Sequence, residues 1–302
     1  MQSLQLKFGM SPISWSNDDL PELGGATSLE TCLRETRLAG YTGTETGGKF
    51  PQDAVQLSRV LQAHDLQLVS GWYSGQLLQG KLEDELERVK PQLALFAELN
   101  APVLVYGETW GTVQNRRQLP LATKPVIPAS EFPAYGERLS SLAQYCTSQG
   151  VPLAFHHHMG TGVETQQELA LTMQYTDTSV GLLLDTGHLV FGGADLLEVI
   201  DQYGQRINHV HAKDVRADVL AGMERHRDSF LDCVLRGIFT VPGDGMIDYV
   251  AVMQALSRQG YEGWIIVEAE QDPAQADPFE YACMGYRALH QAAELAGYQV
   301  VA

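Results

Sequence analysis

Ionisable side chains close four consecutive apolar runs of this sequence. Leu153-Ala154-Phe155 leads into His156-His157-His158, and Gly181–Leu184 leads into Asp185-Thr186-Gly187-His188. Further on, Ile207–Val210 leads into His211-Ala212-Lys213-Asp214, and Trp264–Val267 into Glu268-Ala269-Glu270. Imidazole nitrogens and carboxylate oxygens brought to one place are the donors of a divalent metal site. Taken singly, each residue has a plainer explanation. A histidine at a strand end is commonly just hydrogen-bonded, Asp185 could cap the following turn, and Glu268 could pair with an arginine. Glu45 and Glu164 carry no more weight individually. Together they weigh more, because burying ionisable groups at four successive strand ends is costly unless they are paired or metal-bound.

Side chains alternate between the two faces of a strand, so parity selects which of these groups share a face. Asp185 goes with Leu183, His211 with His209 and Lys213, and Glu268 with Ile266 and Glu270. Phe155 is best spent against outer helices, which turns Ala154, His156 and His158 inward and His157 outward.

The elements that must position these residues are legible as a repeating pattern. Short runs rich in Val, Leu and Ile are expected to be buried strands: Leu6–Met10, Gly43–Glu45, Leu66–Ser70, Pro102–Tyr106, Val151–His156, Val180–Asp185, Ile207–His211 and Trp264–Glu268. Helical patterns lie between them. Thr27-Ser28-Leu29-Glu30 offers a capping box before a helix over Leu29–Ala39. Pro51 suits the first position of a helix over Gln52–His64, and Pro91 should kink one over Lys81–Leu99. Glycines at 40, 150, 204 and 260, and the polar pair His64-Asp65, mark helix ends. Eight strands alternating with helices predict a single (β/α)8 TIM barrel of α/β class spanning residues 1–302, with a doubly wound sheet as the alternative. Three connections, Trp15–Ala26, Glu108–Ala129 and Val215–Met246, are longer than a barrel needs and read as lids or substrate-binding parts.

Composition removes other classes. Of 302 residues, 37 are acidic and 20 basic, a net charge of −17. That leaves no basic footprint for nucleic acid and no attraction to anionic lipid. No apolar stretch approaches the roughly 20 residues of a membrane span. Cys32, Cys146, Cys233 and Cys283 are far apart and form no C-x-x-C pair, which fits a reducing, cytoplasmic setting. There is no G-x-S-x-G elbow and no phosphate-binding G-x-x-x-x-G-K-[ST] loop.

The segments Leu183–His188, His209–Asp214 and Ile266–Glu268 resemble the xylose isomerase-like barrel superfamily, which includes sugar isomerases, epimerases and endonuclease IV. Ser11–Pro21, Ser70–Gly75, His156–Thr161 and Phe239–Gly245 make the chain similar, within it, to the inosose dehydratases of myo-inositol catabolism. The superfamily's metal is held by Glu, Asp, His and Glu from the last four strands. Carried over by motif, the last three become Asp185, His211 and Glu268. The first glutamate has no counterpart here, because its place falls in the triple histidine. Alignment on the downstream glycine points to His156, in agreement with parity, with His158 as the alternative. A mixed nitrogen–oxygen set suits Mn²⁺ or Co²⁺.

The resemblance implies loss of water from a small polyol ketone, 2-keto-myo-inositol, to give a trihydroxycyclohexanedione. A metal would neutralise enolate charge while an acid and a base move protons. His188, Glu270, Lys213 and Glu45 are the acid–base candidates. Trp15, Asn17, Trp72, Tyr73 and His158 are candidates for binding the ring and its hydroxyls. An isomerase or epimerase sharing the same enolate is the nearest rival, followed by a metal-dependent nuclease, disfavoured by charge, and a non-catalytic binding module. The sequence leaves oligomeric state open, a homo-oligomer included.

Overall fold

The computed structural model describes residues 4–301. Its first half runs β1 (Gln5–Met10), α1 (Leu29–Leu38), β2 (Gly43–Thr46), α2 (Ala54–Ala63), β3 (Gln67–Gly75), α3 (Leu82–Glu98), β4 (Leu104–Glu108) and α4 (Phe132–Ser148). The chain continues through β5 (Leu153–His156), α5 (Gln166–Tyr175), β6 (Val180–Asp185), α6 (Thr186–Phe191), α7 (Leu196–Tyr203) and β7 (Ile207–Ala212). A small insertion follows: β8 (Asp214–Val215), α8 (Ala217–Ala221), α9 (Phe230–Leu235) and β9 (Phe239–Thr240). The last elements are α10 (Tyr249–Arg258), β10 (Gly263–Val267), α11 (Pro278–Leu295) and β11 (Gln299–Val300).

β1 to β7 and β10 pair in parallel in sequence order, and β10 pairs back onto β1, so the eight strands close into a TIM barrel. β11 adds two residues beside the start of β1. The alternating faces are sorted as parity requires. Phe155, Leu182, Leu184, Val210, Ala212, Ile265 and Val267 pack outward with the apolar faces of the helices. Val103, Val105, Ala154 and Leu183 form a small interior cluster, against which Trp72 packs.

The helix starts differ from the sequence expectation in detail. Ser28 is the cap of α1, accepting from the Thr31 amide, and no reciprocal glutamate completes a box. Asp53 caps α2, so Pro51 lies ahead of the helix. The complete capping box instead opens α5, where Thr165 and Glu168 exchange bonds. α3 is continuous through Pro91. Asp65 takes the left-handed conformation after α2, as do Gly40, Gly150 and Gly260 after their helices. Gly204 does not, because the chain there passes directly into a short 3₁₀ turn.

The Val215–Met246 connection is structured. β8 and β9 pair antiparallel, and Val215, Phe230, Leu231 and Phe239 join Met159, Phe191, Leu20, Leu23 and Leu121 in a second apolar cluster over the barrel rim. Asp214 fixes this insertion by accepting from the backbone amides of Val215, Gly243 and Ile247. A Cβ on Gly245 would lie 2.2 Å from an Asp214 oxygen, which explains a glycine at the end of Pro242-Gly243-Asp244-Gly245.

Candidate metal centre and its cavity

The C-terminal ends of β5, β6 and β7 and the residue after β10 bring His156, Asp185, His211 and Glu268 together, each able to offer one donor atom within 4.8 Å of the others. All but Glu268, which is 12% exposed in its side chain, are almost wholly buried. Asp185 does two things at once. Its Oδ1 accepts from the His188 amide at 2.8 Å and so caps α6, while Oδ2 turns to the cluster, 3.5 Å from His156 Nε2 and 3.7 Å from His211 Nδ1. His211 Nδ1 stands 3.0 Å from Glu268 Oε2. These are close approaches without hydrogen-bond alignment. Among the described residues Asp185 Oδ2, His211 Nδ1 and Glu268 Oε2 have no aligned hydrogen bond, although Glu268 Oε2 is ion-paired with Lys213 at 3.0 Å. Buried donors and acceptors are normally satisfied, so three such atoms converging on one point form a donor set that could hold a divalent cation.

The nitrogens behind the cluster are fixed. His156 Nδ1 bonds the His157 carbonyl, which leaves Nε2 facing the other donors. His211 Nε2 is 2.9 Å from Glu45 Oε1, and His209 Nε2 is 3.0 Å from the same oxygen, which also accepts from the Ser70 hydroxyl. Partners of this kind orient metal-binding imidazoles. Burial, then His211, holds His156 well below the usual imidazole range, so it is neutral, the form that ligates. Burial works the other way from Glu45 and Glu268 on His211, and the two carboxylates prevail, lifting it well above that range.

A second group lies alongside. Lys213 Nζ is 2.8 Å from Glu270 Oε1, 3.0 Å from Glu268 Oε2 and 3.1 Å from His188 Nε2. The His188 ring centroid is 4.0 Å from that of His158. Burial raises Glu270 to about 7, against the pull of Lys213.

These residues open on a cavity of about 460 Å³ lined by Glu45, His156, His158, His211, Glu268 and Glu270, and also by Trp72 and the β1 loop. Trp72 sets its edge against both His156 and His158, centroids 5.6 Å away. Trp15 lines the cavity but is buried and held by Glu35 through Nε1. Asn17 accepts from the Asp19 and Leu20 amides, and its Nδ2 is buried without a partner.

Four expected residues sit elsewhere. Tyr73 is not at the cavity. It occupies the opposite face of β3 from Trp72 and Ser74, packs in the outer core and donates to Glu85 on α3 at 2.7 Å. His188 and Lys213 are in contact with cavity residues but lie behind them rather than on its wall. Glu164 is removed from the cluster, bonded to Arg225 and the Gly160 amide, where it ties the insertion to the β5 loop. The reading from sequence missed His209 and Ser70 as partners of Glu45. It also named no residue of the β4–α4 loop, although Thr112, Gln114, Asn115 and Arg116 line the cavity. Parity offered His209, and the length of the Glu108–Ala129 connection offered the loop.

The chain belongs to the xylose isomerase-like TIM barrel family, whose model matches residues 33–288. It is 47% identical to the rhizopine catabolism protein MocC of Rhizobium meliloti, over 98% of this chain and 91% of that one. It is 44% identical to the inosose dehydratase of Geobacillus thermodenitrificans (strain NG80-2), over 92% of this chain and 94% of the relative. The solved structure of IOLI protein with a bound zinc atom shares the fold, with a TM-score of 0.65 at 18% identity over 96% of this chain and 98% of that one. No helix among the described residues is long and apolar enough to cross a membrane.

Proposed function

We propose that this chain is a metal-dependent hydro-lyase that removes water from 2-keto-myo-inositol (scyllo-inosose), giving a trihydroxycyclohexanedione in myo-inositol catabolism. The observation that carries the reading is the convergence of three buried atoms without an aligned hydrogen bond, Asp185 Oδ2, His211 Nδ1 and Glu268 Oε2, beside His156 Nε2 at one end of a cavity of about 460 Å³. Near-full-length identity of 44% to an inosose dehydratase supports the substrate. His156, Asp185, His211 and Glu268 are the ligands in this reading, and their mixed donors favour Mn²⁺ or Co²⁺. The bound ion would supply neutralisation of the charge that develops on the ketone oxygen.

The remaining work falls to side chains of the chain itself. Glu270 and His158 are the titratable groups on the cavity wall beside the ligands, so we assign proton transfer to them. One takes the proton α to the ketone. The other protonates the β-hydroxyl as its C–O bond breaks, and water leaves with no change in oxidation level. Lys213 and His188 hold Glu270 and His158 from behind. Glu45 positions His211 rather than moving substrate protons. Trp72 offers a ring face and Asn17 Nδ2 a free donor to a hydroxylated ring.

In the same reading residues 1–302 form one domain acting in the cytoplasm, with no role for nucleic acid, whose phosphates a net charge of −17 repels. The test is mass spectrometry of product from 2-keto-myo-inositol with metal-loaded protein, before and after chelation. The expected product is lighter than substrate by one water and disappears on chelation. A product of unchanged mass would replace the reading with an isomerase or epimerase, which starts from the same enolate.

A further inference from the structure

Lys213 has surroundings that elsewhere would hold a metal. His158, His188 and Glu270 each offer a donor atom, and these atoms lie within 4.8 Å of one another. The Lys213 ammonium touches two of them, Glu270 at 2.8 Å and His188 at 3.1 Å, and reaches Glu268 of the first cluster at 3.0 Å. Asp185 Oδ2 is 3.9 Å away, and the Phe239 ring centroid lies 4.6 Å from Nζ. Three carboxylates, an imidazole and an aromatic face thus surround a side chain that is 1% exposed.

The backbone is built to deliver this side chain. The Lys213 amide donates to Thr186 Oγ1 at 3.0 Å. A Cβ on Gly187 would come within 2.6 Å of Lys213 Cγ, so the glycine of Asp185-Thr186-Gly187-His188 leaves the lane through which the lysine stem passes.

We infer that Lys213 is the resident cation of a second cation site, and that it restricts this barrel to one metal ion per chain. The inference rests on the metal reading above and adds a reason for the lysine. Glu268 faces both positions. A second divalent ion beside it would ligate His158 and Glu270, the groups to which proton transfer is assigned, and a metal-bound imidazole or carboxylate cannot exchange protons freely. An ammonium group supplies charge to Glu268 and Glu270 at hydrogen-bond distance while leaving their chemistry intact. Divalent ions such as zinc hold nitrogen and oxygen at about 2.0–2.2 Å, well inside the 2.8–3.1 Å seen around Nζ. With the lysine removed, Glu270, His188 and Glu268, the side chains at those distances, need to close by only about 1 Å to form a metal site, with the His158 donor beside them.

The experiment counts metal. Native chain, Lys213→Met and Lys213→Arg are stripped by chelation, dialysed against Mn²⁺ or Zn²⁺, and assayed for ions per chain by inductively coupled plasma mass spectrometry. Thermal unfolding is followed against metal concentration in parallel. One ion is expected in the native chain and in Lys213→Arg, which keeps the charge, and two in Lys213→Met. Adding Glu270→Gln to Lys213→Met should return the count to one. Two ions in the native chain, or one in a folded Lys213→Met, would overturn the inference and leave the metal reading standing. No ion in the native chain would overturn both. Removing the lysine leaves buried carboxylates facing each other, so Lys213→Met is to be purified with metal present. If it fails to fold even so, the native count decides, one ion supporting the inference and two overturning it.

Discussion

Two halves of the barrel rim bury carboxylates, and they treat them differently. At the ends of β3 and β4, Glu85 accepts from the Tyr73 hydroxyl, the Gln76 amide and Arg88, and Glu108 accepts from the Tyr106 hydroxyl and the Leu78 and Trp110 amides. Across the barrel, Asp185 and Glu268 each keep an oxygen with no aligned hydrogen bond, next to a His211 nitrogen that also lacks one. Burial is similar on the two sides, at 0–2% exposure for Glu85, Glu108 and Asp185. What separates a structural carboxylate from a ligand is therefore whether its lone pairs are already occupied. The first half is a closed hydrogen-bond network. The second leaves donor atoms without aligned hydrogen bonds, and there we place the metal.

Removing a donor from the open half should produce the largest effect. Asp185→Asn keeps an Oδ1-type acceptor for the α6 cap but lowers the charge of the cluster. We expect metal affinity to fall by about 100-fold or more, the upper end of what even an outer partner of a metal site costs, with activity lost in step and circular dichroism unchanged. A variant that binds metal normally and is fully active would remove Asp185 from the set. The triple histidine sharpens the same comparison. His156→Ala should strip metal, whereas His157, buried with both ring nitrogens unpartnered, should on replacement by Ala cost stability, about 2 kcal/mol as a cavity, and leave metal content alone. The reverse pattern would mean that β5 is read one residue out of register.

The open half was legible in the sequence because its signal is repeated. Four apolar runs each end in a ligand-type residue, and parity turned His156, Asp185, His211 and Glu268 to one side. The strands were legible for the same reason, since parallel strands buried on both faces are continuous apolar runs. The closed half carried no such signal. Glu85 lies in the first turn of a helix and Glu108 at a strand end beside no other ligand type, so no local pattern reveals their partners. Tyr73 was misassigned because an aromatic next to Trp72 suggests a binding rim, although adjacent strand residues face opposite ways. The contact of Glu45 with His209 and His211 spans more than 160 residues, a distance over which no local pattern speaks.

The closed half makes its own prediction. Burial lifts Glu108 from the ordinary 4.5 to about 7, against the bonds it accepts. In the folded chain it therefore keeps its proton at pH values where the unfolded chain has lost it. The associated stability is complete below pH 4.5, declines as pH rises toward 7 and is constant above that. Its size is at most about 3 kcal/mol. Glu108→Gln should flatten that window in chemical denaturation measured from pH 4.5 to 8. An unchanged slope would mean that Glu108 is ionised in the fold.

The smallest effect tests the boundary between the halves, which runs through β3 between two neighbouring residues. Tyr73→Phe deletes one hydroxyl bonded to Glu85, a carboxylate that retains Arg88 and the Gln76 amide. About 1 kcal/mol of stability should be lost, with KM and kcat unaltered. Trp72→Phe, one residue earlier, shortens a side chain that lies against His156 and His158 on the cavity wall. It should raise KM several-fold with little change in the denaturation midpoint. The pair separates a wall of the cavity from a beam behind it by strand parity alone. A Tyr73→Phe variant that raised KM as much as Trp72→Phe would erase that boundary, and with it the argument that the β3–β4 side contributes structure while the β5–β10 side contributes chemistry.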